Sequence, residues 1–381
     1  MIPAFATMAL ISIHTKTHAQ ITIANTPPST SGKKWSAYLK GFIQADAMLD
    51  FQGVGFKDGF ISPTIAIPQH HSMSSHYSVK QSQIGIGIRQ SHSSGDSGLS
   101  AYLEIDFMAP NGTTSPRFRQ GYIQWKNWLA GQTWSNFADV DIFPNIFDFV
   151  GPNGAMLSRS FQIRYSKKLS EKGQVSFSLE DPGEISITIP EAHPEWKKKN
   201  LIPVLTALYR YGNSRDYIKA GGIVLPVNFE NGKTYTAIGF GGLISFRKSI
   251  NTDNIRFQTS YGTGFSRNNQ ALSGAGYDAV FNPETNKLET LALFNIIGIY
   301  EHLWAPKWSS TAYYSYSQIG RKHMMNRKLM RCFQNASINL VYQLDKNLRL
   351  GAEGNYGKAE NVRDGKAEAF RIQFSVSFSF N

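Results

Sequence analysis

What this 381-residue chain has little of narrows its possibilities first. It carries a single cysteine, Cys332, which excludes an intrachain disulfide framework and a cysteine-based metal cluster. No apolar run reaches the roughly 18 residues that a membrane-spanning helix needs. The mean hydropathy is also negative, at −0.29, so a helical membrane protein is excluded. No G-x-S-x-G nucleophile elbow occurs, and Gly262 and Gly264 follow a strand pattern without completing a G-x-G-x-x-G fingerprint. His70, His71 and His76 crowd one segment. Without Cys or carboxylates at ligand spacing they read as solvated loop histidines, so no metal and no cofactor is expected.

What is present is alternation. From Trp35 to Phe51 one face reads Trp35, Ala37, Leu39, Gly41, Ile43, Ala45, Ala47, Leu49 and Phe51, and the other reads Ser36, Tyr38, Lys40, Phe42, Gln44, Asp46, Met48 and Asp50. Soluble strands run to about 5 or 6 residues, whereas a tilted strand crossing a bilayer needs about 9 to 11. The same period recurs through Leu99–Phe107, Val175–Leu179 and Phe370–Phe380, with charged groups confined to one face. That suits a lipid-facing exterior and a wet interior. The pattern predicts an all-β fold, a transmembrane antiparallel β-barrel of about 16 strands, over residues 35 to 381. Short turns fall near Asn213, Asp253, Pro306 and Asp345, and long loops cover 52–76, 137–158, 181–201 and 264–287. Trp125 with Trp128, and Trp304 with Trp308, mark strand ends where an aromatic girdle would lie.

Residues 1 to 19 read as a signal peptide: an apolar segment from Ile2 to Ile13, then Thr17 and Ala19 as the small residues of a cleavage site, although no Lys or Arg precedes the segment. Residues 20 to 34, rich in Pro, Ser and Thr, read as a short flexible lead into the barrel. The formal charge of +12 would ordinarily suggest nucleic acid. Secretion argues against that partner. Much of the charge lies in inter-strand segments, as in Lys197, Lys198 and Lys199 and in Arg321, Lys322, Arg327, Lys328 and Arg331. There it would face outer-membrane lipid and lipopolysaccharide.

The segment 131–154, GQTWSNFADVDIFPNIFDFVGPNG, carries acids and aromatics and no Lys or Arg. A loop this apolar is expected to fold inward as the third extracellular loop and narrow the channel over 137–158. Asp139, Asp141, Phe143, Asn145 and Asp148 are the candidate constriction residues. This stretch closely resembles the corresponding region of the DcaP-like trimeric outer-membrane porins. GFIQADAMLDF (41–51), FQIRY (161–165), IRFQTSYGTGFSR (255–267), YEHLWAPKWSSTAYY (300–314) and RIQFSVSFSF (371–380) agree with that family in the same order. The resemblance implies a homotrimer that passes small anionic organic solutes, such as dicarboxylates and aromatic carboxylates, with no enzyme activity. Two features depart from the family. Residues 20–34 are too short for the coiled coil that commonly precedes its barrel, and Asn381 follows Phe380 where a terminal Phe is usual.

Alternation turns Lys40, Arg89, Arg164, Lys219, Arg349 and Arg371 inward, together with Asp46, Asp50, Glu104, Asp106, Glu180 and Glu353. By this count the lumen is balanced. Arg164 is the preferred filter residue because it follows the loop and sits in FQIRY. Asp139, Asp141 and Asp148 on the loop, opposite basic residues of the first two and last two strands, would set up a transverse field. Two other function classes remain open at this point: an outer-membrane barrel enzyme such as a lipid hydrolase, and a non-conducting surface adhesin.

Overall fold

A computed structural model of the chain describes residues 21–26, 32–69, 71–92, 97–109, 112–183, 187, 195, 197–198, 202–322, 324–326 and 328–380. The segment 1–19 read as a signal peptide lies outside them. Sixteen antiparallel strands close into a barrel. They are β1 (Lys33–Asp50), β2 (Gln83–His92), β3 (Ser97–Asp106), β4 (Arg117–Trp125), β5 (Trp128–Trp134), β6 (Arg159–Lys168), β7 (Gly173–Glu180) and β8 (Val204–Gly212), followed by β9 (Tyr217–Asn231), β10 (Lys233–Ile250), β11 (Asp253–Thr263), β12 (Ala292–Ala305), β13 (Trp308–Ile319), β14 (Met330–Asp345), β15 (Leu348–Asn361) and β16 (Lys366–Ser379). Each pairs with its sequence neighbours, and β1 pairs with β16 from Phe42↔Ser379 to Asp50↔Arg371, which closes the ring.

The two faces of each strand part as period two requires. On β16, Phe370, Phe374, Val376 and Phe378 are exposed on the outer wall while Arg371, Gln373, Ser375 and Ser377 are buried within. On β2, Ile84, Ile86 and Ile88 face out. Between them Gly85 and Gly87 leave room inside: a Cβ at Gly85 would lie 2.1 Å from the Tyr102 hydroxyl, and one at Gly87 2.0 Å from the Tyr38 ring. At one end of the barrel the connections are tight, as at 126–127, 251–252, 306–307 and 346–347. Trp125, Trp128, Trp304 and Trp308 are exposed there, and Trp128 packs on Tyr165 with ring centroids 4.8 Å apart. At the opposite end lie the long segments 51–82, 135–158, 181–203 and 264–291. Inward apolar residues of β8 to β16, among them Leu225, Leu243, Leu293 and Phe333, join Phe60, Phe137, Phe265 and Leu272 of these loops in one buried cluster that fills part of this mouth.

Three features differ from the sequence expectation. Within the lead read as flexible, Ile21–Asn25 is a strand, pairing Ile21↔Leu39 through Asn25↔Ser36. β16 ends opposite Phe42, so the β1 backbone below that point needs another partner, and this segment supplies it. Strand pattern in the sequence ends near 226 and resumes near 235, but β9 and β10 run on as a hairpin with one residue, Gly232, between them. The β9 tip packs on the small hairpin Ala279–Asn282 and Lys287–Thr290, with Phe229 stacked on Tyr235 at 4.9 Å and edge-on to Phe281 at 5.4 Å, while Thr234, Thr236 and Ile238 of β10 stay exposed. On β9 every residue from Leu225 to Phe229 is buried, so exposure ceases to alternate there. β12 begins at Ala292 and not near 288, because Lys287–Thr290 pairs with Ala279–Asn282 in the small hairpin instead.

A charge placed on the outer wall tests the assignment of faces. Ile244→Arg on β10 should destabilise the folded barrel in lipid vesicles by about 2 to 4 kcal/mol, read by denaturant titration of the refolded protein. A loss within the error of that titration would mean that this wall does not face hydrocarbon.

Candidate functional site

The segment between β5 and β6 is built to be rigid. The Asp139 carboxylate accepts from the Asp141 N–H at 3.3 Å and opens a single 3-10 turn at Val140–Ile142. Farther on, Asp148 accepts from the Val150 N–H at 3.0 Å and the Gly151 N–H at 2.6 Å. Gly151 has φ +71°, which a residue with a Cβ rarely adopts. Asn153 then ties this loop to the first one, accepting from the Ser62 N–H at 2.7 Å and donating to the Phe60 carbonyl at 2.9 Å.

Inward side chains from around the barrel hold the same segment. Lys219 on β9 donates to the Ala138 carbonyl at 2.6 Å. Asp139 accepts from Tyr217 and Ser245 on β9 and β10. Arg256 on β11 donates to the Phe143 carbonyl. Asn339 on β14 donates to the Asn145 carbonyl at 2.8 Å, and Arg349 on β15 to Asn145 and to the Ile146 carbonyl. Glu353 accepts from the Phe147 and Asp148 N–H groups at 2.7 and 3.2 Å. The Phe147 carbonyl in turn accepts from the amides of Gln44 and Gln81 at 3.0 Å and Gln373 at 3.2 Å. All three amides also donate to Asp46. A loop satisfied this way behaves as part of the wall.

Beside it runs a cavity of about 2090 Å³, lined from the tight-turn end (Asn251, Pro306, Lys346) to the loop end (Asp181, Pro182). The loop presents Val140, Phe143, Ile146, Phe149 and Leu157 to it, and the facing wall presents Lys40, Gln120, Arg117, Arg119 and Arg159. Eleven Lys and Arg line it against seven Asp and Glu. Most are paired. Arg117 and Arg119 bridge Asp106 at 2.6 and 2.7 Å, and Arg119 also reaches Glu104 at 2.9 Å. Arg256 pairs with Glu301, and Arg210 with Asp141 at 3.3 Å. Lys40 lies over the Tyr102 ring at 4.3 Å, a seat that exists because Tyr102 lies flat on Gly85.

Of the residues singled out by alternation, Lys40, Glu104, Glu180 and Arg349 line this cavity, as do Asp141, Phe143, Asn145 and Asp148 of the loop. Asp46, Asp106 and Arg371 face inward but are buried in networks, Arg371 against Asp50 at 2.6 Å. Lys219 and Asp139 are spent on seating the loop, their charges 3.7 Å apart. Glu180 accepts from the Asn136 N–H, Ser160 and Ser178. Arg89 lies over the Tyr38 ring at 5.6 Å, and Arg164 sits in register between Leu129 and Ser178; neither borders the cavity. The expected opposition of loop acids to β1, β2, β15 and β16 is not found. Asp139 and Asp141 turn toward β8 to β10, and Asp148 is consumed by backbone N–H groups of Phe60, Val150 and Gly151. Short acidic side chains are taken up by the nearest donors before they can project across a pore.

The sequence reading missed Arg117, Arg119, Arg159, Arg247, Arg256 and Arg267, all of which line the cavity. The signal was available for most: Phe118, Phe246 and Phe257 alternate with them along β4, β10 and β11. Among the described residues no group of His, Cys, Asp and Glu is placed to hold a metal ion.

The model of the DcaP outer membrane protein family matches residues 14–380. Among solved structures, the outer membrane channel DcaP of Acinetobacter baumannii is 22% identical, with a TM-score of 0.77, and the match covers 92% of this chain and 99% of that one. The anion-selective porin from Comamonas acidovorans is 10% identical with a TM-score of 0.59, covering 91% and 100%. The trimer form of OmpT, an outer membrane protein of Vibrio cholerae, is 11% identical with a TM-score of 0.51, covering 90% and 99%. No curated protein matches the sequence.

Two predictions concern the loop anchor. Glu353→Leu leaves the Phe147 and Asp148 N–H groups buried without acceptors. It should lower stability by about 1 to 3 kcal/mol and speed proteolytic nicking within 137–158; unaltered stability and nicking would show that the loop is not held there. Burial, with the Glu353 carboxylate beside it, pushes the Asp148 carboxyl up to about 7 against the pull of its N–H donors. The folded chain therefore keeps this proton more tightly than the unfolded chain. Stability should fall as pH rises from the ordinary Asp range through 7, by at most about 1.4 kcal/mol per pH unit for one proton. In Asp148→Asn that slope should flatten; an identical slope would assign it to another group.

Proposed function

The chain belongs to the DcaP outer membrane protein family and is an outer-membrane porin, and from that premise we propose that it admits small anionic organic solutes, such as dicarboxylates, by passive diffusion. The observation that carries the reading is the excess of Lys and Arg over Asp and Glu along one continuous cavity. Cationic walls facing an apolar loop in a confined passage raise the local concentration of anions and repel cations. The anion selectivity named for the Comamonas acidovorans porin of the same fold is in keeping with it.

In this reading the segment 137–158 is the constriction, the third of the loops at the extracellular end, and the tight turns face the periplasm. The wall interaction that fixes the loop sets the width of the passage, and the uncompensated cations set its sign. A homotrimer is the assembly proposed, by analogy with the trimer form of OmpT. The exposed Arg321, Lys322 and Lys366 near the loop end would meet lipopolysaccharide phosphates.

Reconstitution in planar bilayers under a salt gradient tests this directly. The reversal potential should report anion preference, and added succinate should reduce the chloride current by occupying the passage. A reversal potential of the opposite sign would overturn the anionic assignment and leave the porin intact.

A further inference from the structure

We propose that Arg159, held in place by Trp134 instead of by a carboxylate, is the residue of this channel that binds the carboxylate of a passing solute. The inference rests on the anionic reading above. Trp134 is the last residue of β5 and Arg159 the first of β6, and the two face each other in the strand register, so the whole of 135–158 departs and returns between them. The Arg159 guanidinium carbon lies 4.9 Å from the centre of the Trp134 ring. Both side chains border the cavity beside Leu157, Ser158 and Ser160. Among the described residues no carboxylate lies within ion-pair distance of Arg159, and its buried Nη1 has no hydrogen-bond partner.

Of the other arginines of the passage, Arg215 and Arg247 are likewise in no ion pair among the described residues, but neither is stacked on a ring; the rest are committed. Arg117 and Arg119 have their forks on Asp106 and Glu104, Arg256 is on Glu301, and Arg267 is on Asp278 at 2.7 Å. Arg349 gives its donors to Asn145 and Ile146. Lys40 sits on Tyr102 with Glu104 beside it, and Arg247 shares its surroundings with Asp141. A bridged arginine presents no net charge and no free donor pair. One stacked on an indole keeps both, because the ring orients the flat cation through its π-face and leaves the N–H edge unoccupied. That edge matches the two oxygens of a carboxylate. The apolar side of the passage, including Leu157 and Phe143, suits the hydrocarbon part of the same solute.

Bilayer recordings on the intact porin test the assignment, with succinate as the probe and heat-modifiable migration on gels as the check of folding. Arg159→Gln should weaken the block of chloride current by succinate about tenfold or more, the loss of a charge-assisted hydrogen-bonded contact, and lower the chloride-to-potassium permeability ratio. Arg159→Lys should restore the permeability ratio but not the succinate block, since an ammonium offers no planar fork. Should Arg159→Gln fail to assemble, Trp134→Leu carries the test: the charge stays while its seat is lost, so succinate block should weaken with little change in the permeability ratio. If the wild type prefers anions and blocks with succinate, and Arg159→Gln does both equally well, the role of Arg159 is overturned while the anion channel stands. Cation preference in the wild type would instead overturn the reading on which it rests.

Discussion

Hydrocarbon offers no partner to a backbone N–H or C=O, so a sheet that crosses a bilayer must leave no edge open. In this chain that condition falls on one seam, where β1 meets β16 from Phe42↔Ser379 to Asp50↔Arg371. The seam ends inside the barrel on a register pair that is also an ion pair, with Arg371 and Asp50 both almost fully buried. Below Phe42 the last strand runs out, and Ile21–Asn25 takes over the β1 edge. The N-terminal lead thus continues the pairing that the C-terminal strand leaves off.

Closure creates an interior whose polar side chains need partners, and the β5–β6 connection answers much of that demand. It meets donors and acceptors from β1, β9, β11, β14, β15 and β16 with its own backbone, and Ser245 of β10 through Asp139. The loop's aromatic and aliphatic residues are then free to form one side of the passage. Fold and selectivity are coupled here: the Asp46 network and Glu353 both serve the loop backbone, and by doing so they are withdrawn from the solute path.

The fold was legible because its signal is one-dimensional. Period two over Trp35–Phe51 and Phe370–Phe380, with Gly, Asn and Asp near the turns, places the strands and tells the outer face from the inner. It fell short at the β9–β10 tips, where pairing runs on past Pro226 to Asn231↔Lys233, and at Ile21–Asn25, which takes the β1 edge that β16 leaves.

The candidate site was less legible. Lys40 and Arg349 border the cavity and Glu104 and Arg371 are buried within the barrel, since side-chain direction along a strand is fixed by the backbone alone. Parity could not say that Arg371 lies opposite Asp50, that Glu104 meets Arg119, or that Arg159 meets a tryptophan and no acid, because those neighbours come from other strands and from a folded loop. The sequence by itself determined the barrel and, through strand parity, which face of a strand turns inward. Only the tertiary structure decided which of the inward charges remain uncompensated, because neutralisation is a property of distances between elements far apart in the chain.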